Sequence, residues 1–182
     1  QTHQFISTPD KTQIIDKGIV VMAFSGNLKI SYGIATGQRP IGPQGKVTKS
    51  QQGMLFEVDG KPAKHFYEKN CGEQTISLTE GGSWGSAVAV FEPGQTDFYM
   101  RTPNGDGPIS GSIRYFGHVP EQTIIQLTEA DHDSLLCATK VAMEKALAIY
   151  PGTIPQAAIT ISCGVRLKLL GTRIQEEYAL VH

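Results

Sequence analysis

The sequence predicts an α+β or mixed α/β fold, mostly antiparallel sheets with a long helix over about residues 131–150 and a C-terminal helix packed on them. Three features carry this. Short apolar runs recur between residues 87 and 131, separated by turn residues at the roughly 8–12-residue spacing of an antiparallel meander. DHDSLLCATKVAMEKALAIY (131–150) has helical periodicity and suitable ends. Toward the C-terminus the pattern runs strand, helix, strand, helix, which adds α/β character.

The elements follow in order. GIVVMAFSG (18–26) is an apolar run closed by Ser-Gly and reads as a buried strand, with NLKISYGIATG (27–37) as its partner. QRPIGPQG (38–45), dense in Gly and Pro, reads as a loop. KVTKSQQGMLFEVDG (46–60) reads as a hairpin turning at Gln51-Gln52-Gly53 and ending in the turn pair Asp59-Gly60. KPAKHFYEKNCG (61–72) suits a short helix opened by Pro62 and stopped by Gly72. Residues 73–86 are a Gly/Ser-rich connection, which divides the chain into domains 1–80 and 81–182. The strand-like runs 87–94, 96–103, 112–120 and 123–131 follow, with NGDG (104–107) as a turn. In the helix that comes next, Leu135, Ala138, Ala142 and Ile149 share one stripe. AAITISC (157–163) reads as a buried strand, and 172–182 as a helix with a Thr172/Gln175 capping box.

Composition narrows the function. Of 182 residues, 40% are hydrophobic and 18% charged, so a packed core is expected rather than disorder. A net charge of −1 argues against a nucleic-acid partner. No apolar run reaches the roughly 18–20 residues of a membrane-spanning helix, so no membrane partner is expected. Cys71, Cys137 and Cys163 are far apart and form no C-x-x-C, which fits reduced thiols in the cytoplasm.

Several motifs invite chemistry and fall short of it. GKVTKS (45–50) lacks the first glycine and the Ser/Thr of a phosphate loop. GGSWG (81–85) matches G-x-S-x-G, but a strand-like run, not a helix, follows Ser83. The histidines show no zinc-enzyme spacing, so no metal is expected. His65 and His118 are the two that could face a pocket. Cys163 closes a strand and precedes Gly164 and Arg166. It suits packing first, because free cysteine is among the most buried residue types. A ligand crevice at a strand end comes second, and a nucleophile third, for want of a base.

ISCGVRLKLLGTRIQEE (161–177) resembles the S-C-x-x-R … G … E-E signature of FIST domains, the sensory modules shared by F-box and intracellular signal-transduction proteins. GQRPIGPQGKVTKSQQGMLFEVDGKPA (37–63) is similar to the family's R-P-I-G-P … V-T-K-S … L-D-G-K-P-A stretch, with Val58 where Leu is usual. SIRYFGHVPEQTIIQLTEAD (112–131) resembles its third segment, with Gln122 in place of a glycine. The resemblance implies a cytoplasmic small-ligand sensor, not an enzyme, that takes an amino acid and acts on a signalling partner such as a histidine kinase. Residues 1–80 would be the latter part of the N-terminal FIST half, and 81–182 an incomplete C-terminal FIST domain. A homo-oligomer or a complementing fragment would then complete the module.

Family-matched positions supply the candidate ligand residues Arg39, Gly42, Thr48, Asp59, Arg114, Cys163 and Arg166. The arginines would hold a carboxylate and Asp59 an ammonium group. No cofactor is required. A haem-binding, nitric-oxide-sensing branch of the family would use His65 or His118 as axial ligand. A hydrolase or thiol enzyme using Ser83 or Cys163 is the remaining alternative.

Overall fold

The computed structural model describes residues 4–7, 9–15, 19, 21–71 and 87–181. It forms two compact units, Gln1–Ile30 and Ser31–His182. In the first, β1 (Gln4–Ser7) pairs antiparallel with β2 (Thr12–Ile15). In the second, an antiparallel sheet of eight strands carries the main core, and the class is α+β.

The centre of that sheet is β3 (Arg39–Gln51), which turns through Gln52-Gly53 into β4 (Met54–Val58). This is the hairpin expected from the sequence. Gln52 and Gly53 both have positive φ, 47° and 80°, as a tight turn here demands. A two-residue strand, β5 (Lys61–Pro62), pairs with β4 and leads into α1 (Ala63–Cys71), one residue after Pro62. Then come β6 (Val88–Phe91), β7 (Phe98–Arg101), β8 (Pro103–Asp106), β9 (Ile113–Tyr115) and β10 (Ile124–Glu129).

The expected simple meander is replaced by the order β7-β6-β10-β3-β4-β9-β8. Strands β7 and β8 lie at opposite ends of this path, yet only Thr102 separates them in sequence. The sheet must therefore curl until its two ends meet. Phe116 N–H donates to Thr102 O (3.1 Å), which extends the β8–β9 ladder to the β7–β8 connection, and Arg101 Nε on β7 donates to His118 O (2.8 Å) beyond β9.

The interior of the curl is filled by alternating residues: Val47, Leu55, Val88, Val90, Ile113, Tyr115, Ile125 and Leu127. Helix α1 closes it with Ala63, Phe66 and Tyr67, and the Tyr67 and Tyr115 hydroxyls share a buried hydrogen bond (2.5 Å). A second apolar cluster lies among the later helices α2 (His132–Ala148), α3 (Gly164–Leu170) and α4 (Ile174–Ala179). Leu135, Leu136, Leu170 and Ile174 form its buried centre. Asp131 caps α2 in a reciprocal box with Ser134, its side chain accepting from Ser134 N–H (2.7 Å).

Several elements differ from expectation. Residues 38–45 are not a loop but mostly the first half of β3. The ladder with β10 passes from Gln44 to Ile41, so a bulge takes Gly42 and Pro43 out of register. A bulge is where a strand tolerates Gly and Pro. NGDG contributes to the short edge strand β8, with the turn falling later, at 108–111. The described part of 18–26 and all of 157–163 form no strand and are exposed, because no described residue pairs with them. Thr172 makes no cap: Gly171–Arg173 is a 3-10 turn, and α4 starts at Ile174 with no side-chain cap bond. In the expected α2 stripe, Leu135 and Ala138 are buried, whereas Ile149 is exposed. Ser83, Trp84 and the expected domain connection 73–86 lie outside the described residues.

Candidate functional site

The hairpin β3–β4 and the turn after β9 enclose an open cleft of about 450 Å³ lined by Lys49, Ser50, Gln51, Phe56, His118 and Glu121. Their positions follow from local structure. Lys49 to Gln51 end β3, Phe56 lies in β4, and His118 and Glu121 flank the Val119-Pro120 step before β10. Val119 is buried, so it anchors that turn and holds its neighbours at the cleft. Glu121 is oriented by Ser50 N–H, which donates to its Oε1 (3.0 Å). The Lys49 ammonium stands over the Phe56 ring at 6.0 Å from its centroid. The Ser50 hydroxyl is buried and has no hydrogen-bond partner among the described residues.

Nearby, the Arg101 guanidinium stacks over the Tyr99 ring at 4.4 Å. Burial, reinforced by the hydrogen bond to Glu92, pushes the Tyr99 phenol up to about 12. It stays a neutral donor at physiological pH.

A second polar constellation sits among the helices. Arg166 on α3 donates through Nε to Glu177 Oε1 (2.9 Å) and through Nη2 to the same oxygen. It also reaches Leu135 O (2.7 Å), Thr139 Oγ1 (3.0 Å) and Thr36 O (3.2 Å). Glu177 on α4 further accepts from Thr139 Oγ1 (2.8 Å) and Ser162 Oγ (2.9 Å). The side chains are 13% and 4% exposed. Burial works against the Glu177 carboxylate, but hydrogen bonds from Arg166, Thr139 and Ser162 win and hold it below its ordinary value. On the surface beside it, Arg173 bridges Glu176 (2.7 Å) and Asp133 (2.9 Å), tying α4 to the start of α2.

The residues expected from the sequence are dispersed. Arg39 is exposed and ion-paired with Glu129. Gly42, at φ +68°, sits in the bulge, its carbonyl accepting from Gln126 Nε2 (2.7 Å). Thr48 Oγ1 accepts from Gly60 N–H (3.0 Å), and Asp59 Oδ1 from Lys46 N–H (2.9 Å), so both brace the turn after β4. Arg114 is exposed on β9 opposite Met54. His65 is exposed on α1, and only His118 of these candidates lines the cleft. Cys163 does not pack: it is exposed and begins α3, because the strand it was expected to close is unpaired. Cys137 is likewise a free, exposed thiol, and the Cys71 side chain lies outside the described residues.

Lys49, Ser50, Gln51, Phe56 and Glu121 were not singled out from the sequence. A signal was present, since KVTKS and HVPEQ are both segments that carry the resemblance. The hairpin places one beside the other.

A family model described as FIST N domain matches residues 2–61, and one described as FIST C domain matches residues 63–182. The chain belongs to the FIST family. The two FIST matches meet at the entry to α1, and the cleft draws Lys49, Ser50, Gln51 and Phe56 from the first and His118 and Glu121 from the second. FIST domains are sensory domains for small ligands in signal transduction. Comparison with curated proteins and with solved structures returned no match. No helix among the described residues of this FIST chain is long and apolar enough to cross a membrane. Among the described residues no group of three or more His, Cys, Asp and Glu side chains could hold a metal ion.

Proposed function

We propose that this chain is a non-enzymatic sensory domain that binds a small zwitterion, an amino acid, in the cleft shared by its FIST N and FIST C portions. The observation that carries this is the Ser50 hydroxyl, buried in the cleft wall with no partner among the described residues. A buried polar group without a partner is costly, and a bound polar ligand would satisfy it. Lys49 supplies a cation for a carboxylate, Glu121 an anion for an ammonium group, and Phe56 an apolar surface for a side chain. Lys49 thus takes the part first expected of Arg39, Arg114 and Arg166, two of which are committed to Glu129 and Glu177. The non-enzymatic part of this reading rests on the family. A cytoplasmic location and a histidine-kinase type of partner complete this reading and rest on the family.

Calorimetric titration of the full chain with the common amino acids tests it. The expected result is binding of one or a few, weakened at least tenfold by Lys49→Ala and by Ser50→Ala, with unchanged circular dichroism. Absence of binding, or variants that bind like the wild type, overturns it. His118 at the cleft favours haem as the second reading. A Soret band on haem addition that His118→Ala abolishes would put haem in place of the amino acid.

A further inference from the structure

One wall of the cleft is a short turn, and its two ends are fastened differently. Lys49 to Gln51 stand on β3, whereas His118 and Glu121 stand on residues 117–121, between β9 and β10. Backbone ties the downstream end of this turn to β3: Gln122 N–H donates to Val47 O (2.9 Å), and Val47 N–H to Thr123 O (2.9 Å). A side chain from β7 ties the upstream end. Arg101 donates through Nε to His118 O (2.8 Å) and through Nη1 to Met100 O (2.9 Å), while its guanidinium lies over the Tyr99 ring. Two carbonyls and a ring face fix the orientation of that planar group, a task that suits arginine and not lysine. Gly117 makes room for it. A Cβ there would stand 2.9 Å from Arg101 Nε and 3.2 Å from its Cδ. The φ of Gly117 lies outside the left-handed region, so the passing arginine, not the backbone conformation, calls for glycine here.

We infer that Arg101 is a positioning residue of the ligand site: it clamps the 117–121 turn to β7 and so sets where His118 and Glu121 stand in the cleft. The inference rests on the cleft being the ligand site. Arg101 is not among the residues lining the cleft, so it acts through the His118 carbonyl. Ligand groups carried on a turn are only as well placed as the turn is held, and a wall fixed before binding costs less to order when the ligand arrives. The contact that reads this placement is the one across the cleft, where Ser50 N–H donates to Glu121 Oε1 (3.0 Å).

NMR of the isotopically labelled full chain, with calorimetric titration of the common amino acids, tests this on Arg101→Ala and Gly117→Ala. The second variant keeps the arginine and displaces it, since the new Cβ meets a flexible side chain rather than backbone. The reporter is the Ser50 amide proton, and Glu121→Gln marks where it resonates when its acceptor carries no charge. Both variants are expected to move that resonance upfield, toward its Glu121→Gln position, and to weaken amino-acid binding about threefold to tenfold. A loss of stability alone lowers the folded fraction and leaves the resonance of the folded form in place. A Ser50 resonance left in place by either variant overturns the inference, as does unchanged affinity in a chain whose wild type binds. Gly117→Ala decides alone if Arg101→Ala does not fold. If the wild type binds no amino acid, the ligand reading falls by itself, and the Ser50 resonance still decides whether Arg101 positions Glu121.

Discussion

Arg166 and Glu177 form a buried ion pair in which one carboxylate also receives Thr139 and Ser162, and one guanidinium also reaches the carbonyls of Leu135 and Thr36. The pair thereby ties together α2, α3, α4 and the segments that hold Thr36 and Ser162. Truncating one partner strands the other charge away from water. Glu177→Ala and Arg166→Ala should each cost about 3–5 kcal/mol of stability, read by urea unfolding. The double variant should cost less than the sum of the two.

The same pair sets a pH dependence. The folded-state pKa of Glu177 is held below its unfolded value, near the ordinary 4.3 of a glutamate. Its contribution is therefore complete above that unfolded value and is lost as pH falls through the lower, folded value. Urea midpoints should drop in this acid window for the wild type. Glu177→Gln should be less stable at neutral pH and show a shallower acid decline. Parallel curves would remove Glu177 as the cause.

Gly33 and Gly37, in a segment expected as a strand that forms none, are set by its close passage along α2. Four extended residues span about 13 Å, and the helix rises about 12 Å from Ser134 to Ala142, so the two close contacts stay in step. Gly33→Ala should destabilise by about 1–3 kcal/mol, because the clash is with backbone. Gly164→Ala, where a Cβ meets nothing within 4 Å, should be neutral or mildly stabilising by thermal melting.

The hydroxyl pair Tyr67–Tyr115 joins α1 to the curled sheet. Tyr115→Phe should cost about 1 kcal/mol in chemical unfolding, since it leaves a buried donor without this partner. A loss within experimental error would mean that the hydroxyls contribute nothing to holding the helix.

What could be read from the sequence was what is locally encoded. The β3–β4 hairpin is specified by Gln51-Gln52-Gly53 between alternating runs, and α2 by Asp131 and Ser134 at its start. Strand order was hidden, because it depends on the curl that brings β7 and β8 together. Pro40, Gly42 and Pro43 suggested a loop, since sequence alone does not show that a bulge would absorb them. AAITISC (157–163) read as a buried strand, yet Ile159 and Ile161 are exposed, because an apolar run says that a segment needs cover and not what covers it. The cleft escaped for a related reason. Its cation and hydroxyl, Lys49 and Ser50, lie 71 residues or more from its carboxylate, Glu121, and only the tertiary fold unites Ser50 with Glu121. Cys163 and Arg166 drew attention because they stand together in the chain, but Cys163 is exposed to solvent and Arg166 is directed at Glu177.

The most direct measurement is an NMR titration of the isotopically labelled chain with the tightest-binding amino acid, following each backbone amide. The account predicts saturable shifts concentrated at Lys49, Ser50, Gln51, Phe56, His118 and Glu121. Shifts centred instead on Arg166 and Cys163, or no shifts for any amino acid, would contradict it.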